Sequence, residues 1–139
     1  MLRITVAAGV IRRDDGRVLV SRRPHGKHMA GAWEFPGGKV RRGETPRRTL
    51  DRELHEELGI GVRQADALMN YEQQYPDRLV ELYFFAVEDY DGIPSGREGQ
   101  ELCWEFPESL GGMGFLPADR PLLELLIQQT ASLKGKSDR

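Results

Sequence analysis

The run from Gly38 to Ile60, GKVRRGETPRRTLDRELHEELGI, limits what this chain can fold into more than any other part of it. Gly37 and Gly38 after Pro36 read as a turn with unusual backbone angles, and Gly43 marks a second turn. Thr45 then fits an N-cap, Pro46 the first helical position, and Gly59 the left-handed residue that ends a helix. The spacing predicts a helix from Pro46 to Leu58. Leu50, Leu54 and Leu58 give that helix one apolar stripe, while Glu53, Glu56 and Glu57 share another face.

Carboxylates at these spacings repel one another by about 0.2–0.5 kcal/mol per pair unless a cation sits among them. On the residues alone two readings stand. One is a solvated acidic helix face. The other is a ligand set for a hard divalent cation such as Mg²⁺, which takes oxygen from carboxylates, water and substrate phosphates. Arg52 lies one turn before Glu56 and can pair with it and hold it in position.

A longer pattern separates the two readings. Gly38, five residues, Glu44, seven residues, then Arg52, Glu53, Leu54, any residue, Glu56, Glu57, any residue, Gly59 and Ile60 fills every fixed position of G-x5-E-x7-R-E-U-x-E-E-x-G-U, with U aliphatic. In this the chain resembles the Nudix hydrolases, and so many fixed residue types make the match a strong signal. The resemblance implies an α/β/α sandwich.

Composition is ordinary for a soluble globular protein, with 39% hydrophobic and 30% charged residues. The 139 residues are enough for one domain with a buried core, and a net charge of -2 argues against bulk binding to nucleic-acid polymers or membranes, which shows as a positive excess. The lone Cys103 has no internal disulfide partner and reads as a buried packing residue. No signal peptide and no bilayer-length apolar run are visible, so the cytoplasm is the expected location. We expect a single domain over residues 1–133 and a frayed tail over 134–139. A monomer is compatible with all of this.

Taken in order, Ile4 to Ile11 reads as a largely buried strand, turning at Asp14, Asp15 and Gly16 into Val18 to Val20 as a hairpin. Ser21 to Gly31 is a basic loop, and Trp33 to Phe35 a short strand. Ala67 to Tyr75 and Leu79 to Val87 form a hairpin around Pro76, Asp77 and Arg78. Asp89 to Gln100 is a glycine-rich loop, Leu102 to Phe106 a strand, and Pro107 to Leu110 a helical turn. A second amphipathic helix lies in Leu116 to Leu133, starting at Pro121. The pattern is α/β (α+β), a mixed, partly antiparallel sheet with two main helices.

Beyond the signature, the chain up to about Leu126 resembles the MutT subfamily of nucleotide-sanitising pyrophosphohydrolases. The shared features are Arg22 and Arg23, His28 and Met29, the run Glu34 to Lys39, Pro76 to Arg78, the Gly96 to Gln100 loop, and Pro117 with Ala118. The resemblance implies Mg²⁺-dependent hydrolysis, with Mn²⁺ as a substitute, of a nucleoside triphosphate such as 8-oxo-dGTP to its monophosphate and pyrophosphate. It implies that Glu53 is the general base or aligns the water, and that Glu53, Glu56, Glu57, the Gly37 carbonyl and Glu98 form the metal shell. Lys39 orients the water or a glutamate, Arg52 holds the glutamates, and Glu44 fixes the loop or those glutamates. Arg23 becomes a phosphate clamp, its guanidinium fork matching phosphate geometry, where otherwise it reads as an exposed arginine. His28, Glu34, Phe35, Pro36 and Gly37 complete the expected nucleotide site, with Phe35 or Tyr75 to stack on the base; His28 reads equally well as a surface histidine. His55 is assigned no role.

Asp119 departs from the pattern. MutT has asparagine there, whose amide both donates and accepts, whereas an ionised aspartate only accepts. Asp119, Pro121, Leu122, Leu123 and Glu124 resemble a Nudix branch that prefers CTP and 5-methyl-dCTP, and a carboxylate suits the cytosine amino group. Asp119 can alternatively cap the last helix. A non-catalytic nucleotide-sensing module would be expected to lose glutamates, and this chain keeps Glu53, Glu56, Glu57 and Glu98. A Nudix enzyme for nucleotide sugars or dinucleotides is a further alternative.

Overall fold

The computed structural model describes residues 1–137, with side chains to residue 132. β1 (Leu2–Ile11) pairs antiparallel with β4 (Gly37–Lys39) and parallel with β6 (Arg78–Asp91), and β6 pairs antiparallel with β5 (Gly61–Gln74), giving the order β4-β1-β6-β5. β2 (Val18–Arg22) lies between β3 (Trp33–Glu34) and β7 (Leu102–Glu105) in a separate antiparallel sheet.

Two helices cover the two sides, and the period-2 alternation of the strands feeds both. On one side α1 (Pro46–Leu58) sets Leu50, Leu54 and Leu58 against Ile11, Leu19, Ile60 and Val87. On the other, α2 (Arg120–Ser137) sets Leu122 and Leu126 against Val10, Val18, Val20 and Phe84. Adjacent residues such as Val10 and Ile11 thus serve opposite cores, which makes the expected α/β/α sandwich. The three α1 leucines are fully buried, each worth about 2 kcal/mol of apolar transfer. Gly9 lets α1 approach this closely, since a Cβ there would lie 3.2 Å from Cδ1 of both Leu50 and Leu54.

α1 has the predicted bounds. Thr45 Oγ1 accepts from the Arg48 amide at 3.2 Å, Pro46 occupies the first turn, and Gly59 at φ 75° donates its amide to the His55 carbonyl.

Several expectations are corrected. Gly37 and Gly38 form a strand, not a turn, and neither has a positive φ. Glycine is required there by close approach: a Cβ on Gly37 would lie 2.2 Å from the Ala7 carbonyl oxygen, and one on Gly38 would lie 2.4 Å from Glu53 Cδ. β1 and β2 do not form the expected hairpin either. Beyond Ile11 only an Arg12–Val18 bridge and the Arg13 amide on the Arg17 carbonyl join them, because each strand is flanked on both edges within its own sheet. The β5–β6 hairpin is longer than predicted, and β6 takes up the start of the loop expected from Asp89. A 3₁₀ turn at Pro117–Asp119 precedes α2, which begins at Arg120 and continues past Lys134 to Ser137; Asp138 and Arg139 lie outside the described residues. Cys103 is half-buried against the core, short of the full burial expected. Among the described residues no helix is long and apolar enough to cross a membrane.

Candidate active site

A cavity of about 480 Å³ opens where β4, α1, β6 and the Leu116–Asp119 segment meet. One wall is acidic and glycine-rich: Glu53, Glu56 and Glu57 from α1, Gly37, Gly38 and Lys39 from β4, and Glu98 from the loop after β6. Another is apolar, with Val80, Leu82 and Phe84 from β6, Phe35, Leu116 and Ala118, and it carries the carboxyl of Asp119. Arg23, Lys27, Glu34 and Tyr75 complete the lining.

Arg52 organises the acidic wall from behind. Its Nε and Nη2 fork onto Glu44 at 2.7 and 2.9 Å, Nη1 donates to Glu53 Oε1 at 2.7 Å and lies 3.5 Å from Glu56 Oε2, and Nη2 also reaches the Lys39 carbonyl at 3.2 Å. Glu44 in turn accepts from Thr49 Oγ1 and the Arg41 amide. The Arg52 hydrogen bond, with help from Arg41 and Thr49, draws the Glu44 carboxyl down to about 2. The signature's Glu44 and Arg52 therefore lie outside the cavity as supports for residues inside it.

Glu57 lies deepest among the glutamates. Its Oε2 is buried with no hydrogen-bond partner, and burial, then the charges of Glu53, Glu98 and Glu34, push its carboxyl up to about 9 against a weak opposing bond from Gly37. Among the described residues no three potential ligands already converge on one point. Arg52 holds Glu53 and Glu56 towards itself, so closing a metal shell requires those side chains to turn. The donor set fits a hard divalent cation nonetheless: the candidate donors are oxygens, several of them carboxylate, and one is buried and unpaired. A cation there would reverse the electrostatics that now raise Glu57.

Glu98 is delivered by a loop latched to the end of α1. The Ser95 amide donates to the Leu58 carbonyl at 3.0 Å, and the Arg97 amide to the Glu57 carbonyl at 3.1 Å. Gln100 uses both ends of its amide: Nε2 donates to the Glu57 carbonyl and Oε1 accepts from the Glu98 amide, each at 2.9 Å. These carbonyls lack partners within the helix, so the loop satisfies them and sets Glu98 near Glu57.

Arg23 donates to Glu34 at 2.7 Å and to the His28 carbonyl at 2.6 Å. His28 itself is exposed and does not line the cavity; only its backbone takes part. Pro36 is also absent from the lining, being buried with its carbonyl accepting from the Gly9 amide. Phe35 is 4% exposed and packs edge-on to Phe84 and tilted against Phe115, so it is a wall residue with little freedom to move over a base. Tyr75 lies under the Arg78 guanidinium, 5.2 Å from its ring centroid.

Asp119 is 5% exposed, its Oδ2 has no partner, and burial with the nearby Glu34 charge pushes its carboxyl up to about 8 against the pull of Arg23. An ordinary aspartate at pH 7 is ionised; burial displaces this one toward its neutral form.

Sequence reasoning missed Lys27, Val80, Leu82, Phe84 and Leu116 in the lining. The run from Leu79 to Val87 reads only as one strand of a hairpin, with no face assigned to the cavity. Sequence reasoning also missed Gln100 as the loop latch, for which no local pattern exists.

A model of the NUDIX domain matches residues 7–125. The chain is 40% identical over 127 residues to an 8-oxo-dGTP diphosphatase of Haemophilus influenzae, covering 91% of this chain and 93% of that protein. It is 38% identical over 132 residues to a CTP pyrophosphohydrolase of Escherichia coli, covering 95% and 97%. A solved structure from work on MutT of Aliivibrio salmonicida and Vibrio cholerae superposes with a TM-score of 0.81 at 36% identity, covering 91% of this chain and 98% of that one.

Proposed function

The chain belongs to the NUDIX domain family, and on that premise we propose that it is a Mg²⁺-dependent nucleoside triphosphate pyrophosphohydrolase that converts 8-oxo-dGTP to 8-oxo-dGMP and pyrophosphate, cleansing the nucleotide pool. The observation that carries the reading is one cavity shared by the α1 glutamates, with an unpaired oxygen on Glu57, and by the buried acid of Asp119. Phosphates and a base have separate chemistry to meet there.

Glu56, Glu57, Glu98 and the Gly37 carbonyl would hold the metal, with Glu53 kept for the water. Bound Mg²⁺ supplies neutralisation of phosphate charge and a more acidic water. Arg52 engages Glu53 Oε1, which leaves Oε2 to accept the proton of the attacking water. Water oxygen bonds to phosphorus, the bridge between the α- and β-phosphates breaks, and the bridging electron pair leaves on pyrophosphate. Lys39 orients the water or the glutamate, and Arg23, already forked between Glu34 and a carbonyl, grips a phosphate oxygen.

The raised Asp119 supports the oxidised purine. As a neutral acid it has one O–H donor and one acceptor oxygen, the same pair that an asparagine amide presents. The aspartate that departs from the MutT pattern thus serves as an amide equivalent near pH 7. One observation favours a second reading, hydrolysis of CTP and 5-methyl-dCTP: once ionised, Asp119 is acceptor-only and suits a cytosine amino group. The similarity to the Escherichia coli CTP pyrophosphohydrolase points the same way.

Glu53→Gln tests the chemical assignment. It is expected to lower kcat by about 10²–10⁴-fold while nucleotide binding and the folded state persist. Unchanged turnover in Glu53→Gln, followed by pyrophosphate release with Mg²⁺ and with EDTA, would overturn the assignment.

A further inference from the structure

The carboxyl of Asp119 belongs to the cavity wall, and the turn that carries it is closed by its own backbone: the Asp119 amide donates to the Leu116 carbonyl at 3.0 Å and the Arg120 amide to the Pro117 carbonyl. Tyr71, on the edge strand β5, reaches this point. Its hydroxyl donates to the Ala118 carbonyl at 2.6 Å. Its ring stacks on Phe84 with centroids 5.8 Å apart and planes 28° apart. Tyr71 itself is absent from the cavity lining, whereas Phe84, Ala118 and Asp119 are all part of it.

We propose that Tyr71 is a positioning residue for base selection: by clamping the Ala118 carbonyl against β5 and stacking on Phe84, it fixes where the adjacent Asp119 carboxyl meets the base. Without the clamp, the Pro117–Asp119 turn is free to shift along Phe84, and the carboxyl it carries loses its place at the nucleotide. The inference rests on the reading that Asp119 faces the base. It adds that the selectivity of this acid is set from the far side of the wall, by a residue the nucleotide never touches.

Tyr71→Phe removes one oxygen and keeps the ring on Phe84. With Mg²⁺, and with 8-oxo-dGTP and CTP measured side by side, KM for the nucleotide the unmodified protein prefers is expected to rise about tenfold with kcat within about twofold, and the ratio of the two kcat/KM values to shrink. Asp119→Asn is expected to change that ratio less in the Tyr71→Phe background than alone, because both act through one carboxyl. Unchanged KM and ratio in folded Tyr71→Phe overturn the inference while leaving the activity intact. A proportional loss for both nucleotides shows a structural role only and also overturns it. No turnover of either nucleotide by the unmodified protein removes the functional reading and this inference together. A measurement on the unmodified protein guards against a variant that does not fold: the Tyr71 hydroxyl proton is expected to exchange slowly enough with solvent to be seen by NMR, and fast exchange of that proton refutes the clamp.

Discussion

Arg52 gives one guanidinium to Glu44, Glu53, Glu56 and the Lys39 carbonyl, and only a planar fork can do so. Arg52→Lys keeps the charge and loses the fork, so kcat is expected to fall about 10–100-fold with the circular dichroism of the folded protein unchanged. An unaffected kcat would mean that Glu53 is held by something else. Asp119 makes a second demand on single atoms. Its carboxyl is raised from 3.8 to about 8. Between those values the folded state holds a proton that the unfolded chain releases, so this group's contribution to stability declines as pH rises through that window. The same titration acts on the substrate. The ratio of kcat/KM for 8-oxo-dGTP to that for CTP is expected to fall as pH rises through about 8, and Asp119→Asn is expected to flatten it. The ratio cancels titrations shared by the two reactions, so a flat ratio in the unmodified protein would contradict the neutral acid.

The elements differ in how far local chemistry announced them. α1 could be bounded to the residue because its signals are local: Thr45, Pro46 and Gly59 act on their own neighbours, and its leucines share one stripe. Leu54→Ala is expected to destabilise the protein by about 2–5 kcal/mol, measured by urea unfolding, because Leu54 is fully buried beneath Gly9. β4 was misread as a turn because the need for glycine at Gly37 and Gly38 comes from Ala7 and Glu53, which are distant in sequence. Gly38→Ala is expected to displace Glu53 and reduce kcat while α1 stays folded. The split into two sheets was equally invisible, since the unbroken apolar run Val18 to Val20 says that both faces are buried and says nothing about which strands lie alongside. For the site, the signature glutamates were legible from their spacing together with the family resemblance. Tyr71 and Gln100 were not, because each acts on backbone atoms far along the chain.

At the level of the whole molecule, a domain with two cores joined through its sheets places carboxylates in one cavity, where they repel one another. The metal-free protein carries that strain at Glu57, raised from 4.5 to about 9. Folding without metal therefore traps a proton over that range, and this contribution to stability falls as pH rises. Mg²⁺ at about 100 times its Kd is expected to add about 2.7 kcal/mol, read as a higher Tm. Glu57→Gln is expected to raise the metal-free Tm at pH 8 and to diminish the Mg²⁺ increment; an equal increment in both proteins would place the metal elsewhere. We expect this acidic wall and a neutral, base-reading Asp119 to act together in one cavity. The deciding measurement is kcat/KM with Mg²⁺ at pH 7 for 8-oxo-dGTP, dGTP, CTP and 5-methyl-dCTP, following monophosphate and pyrophosphate together. A clear preference for 8-oxo-dGTP is the predicted result; a preference for the cytosine nucleotides, or no pyrophosphate from any of the four, would contradict it.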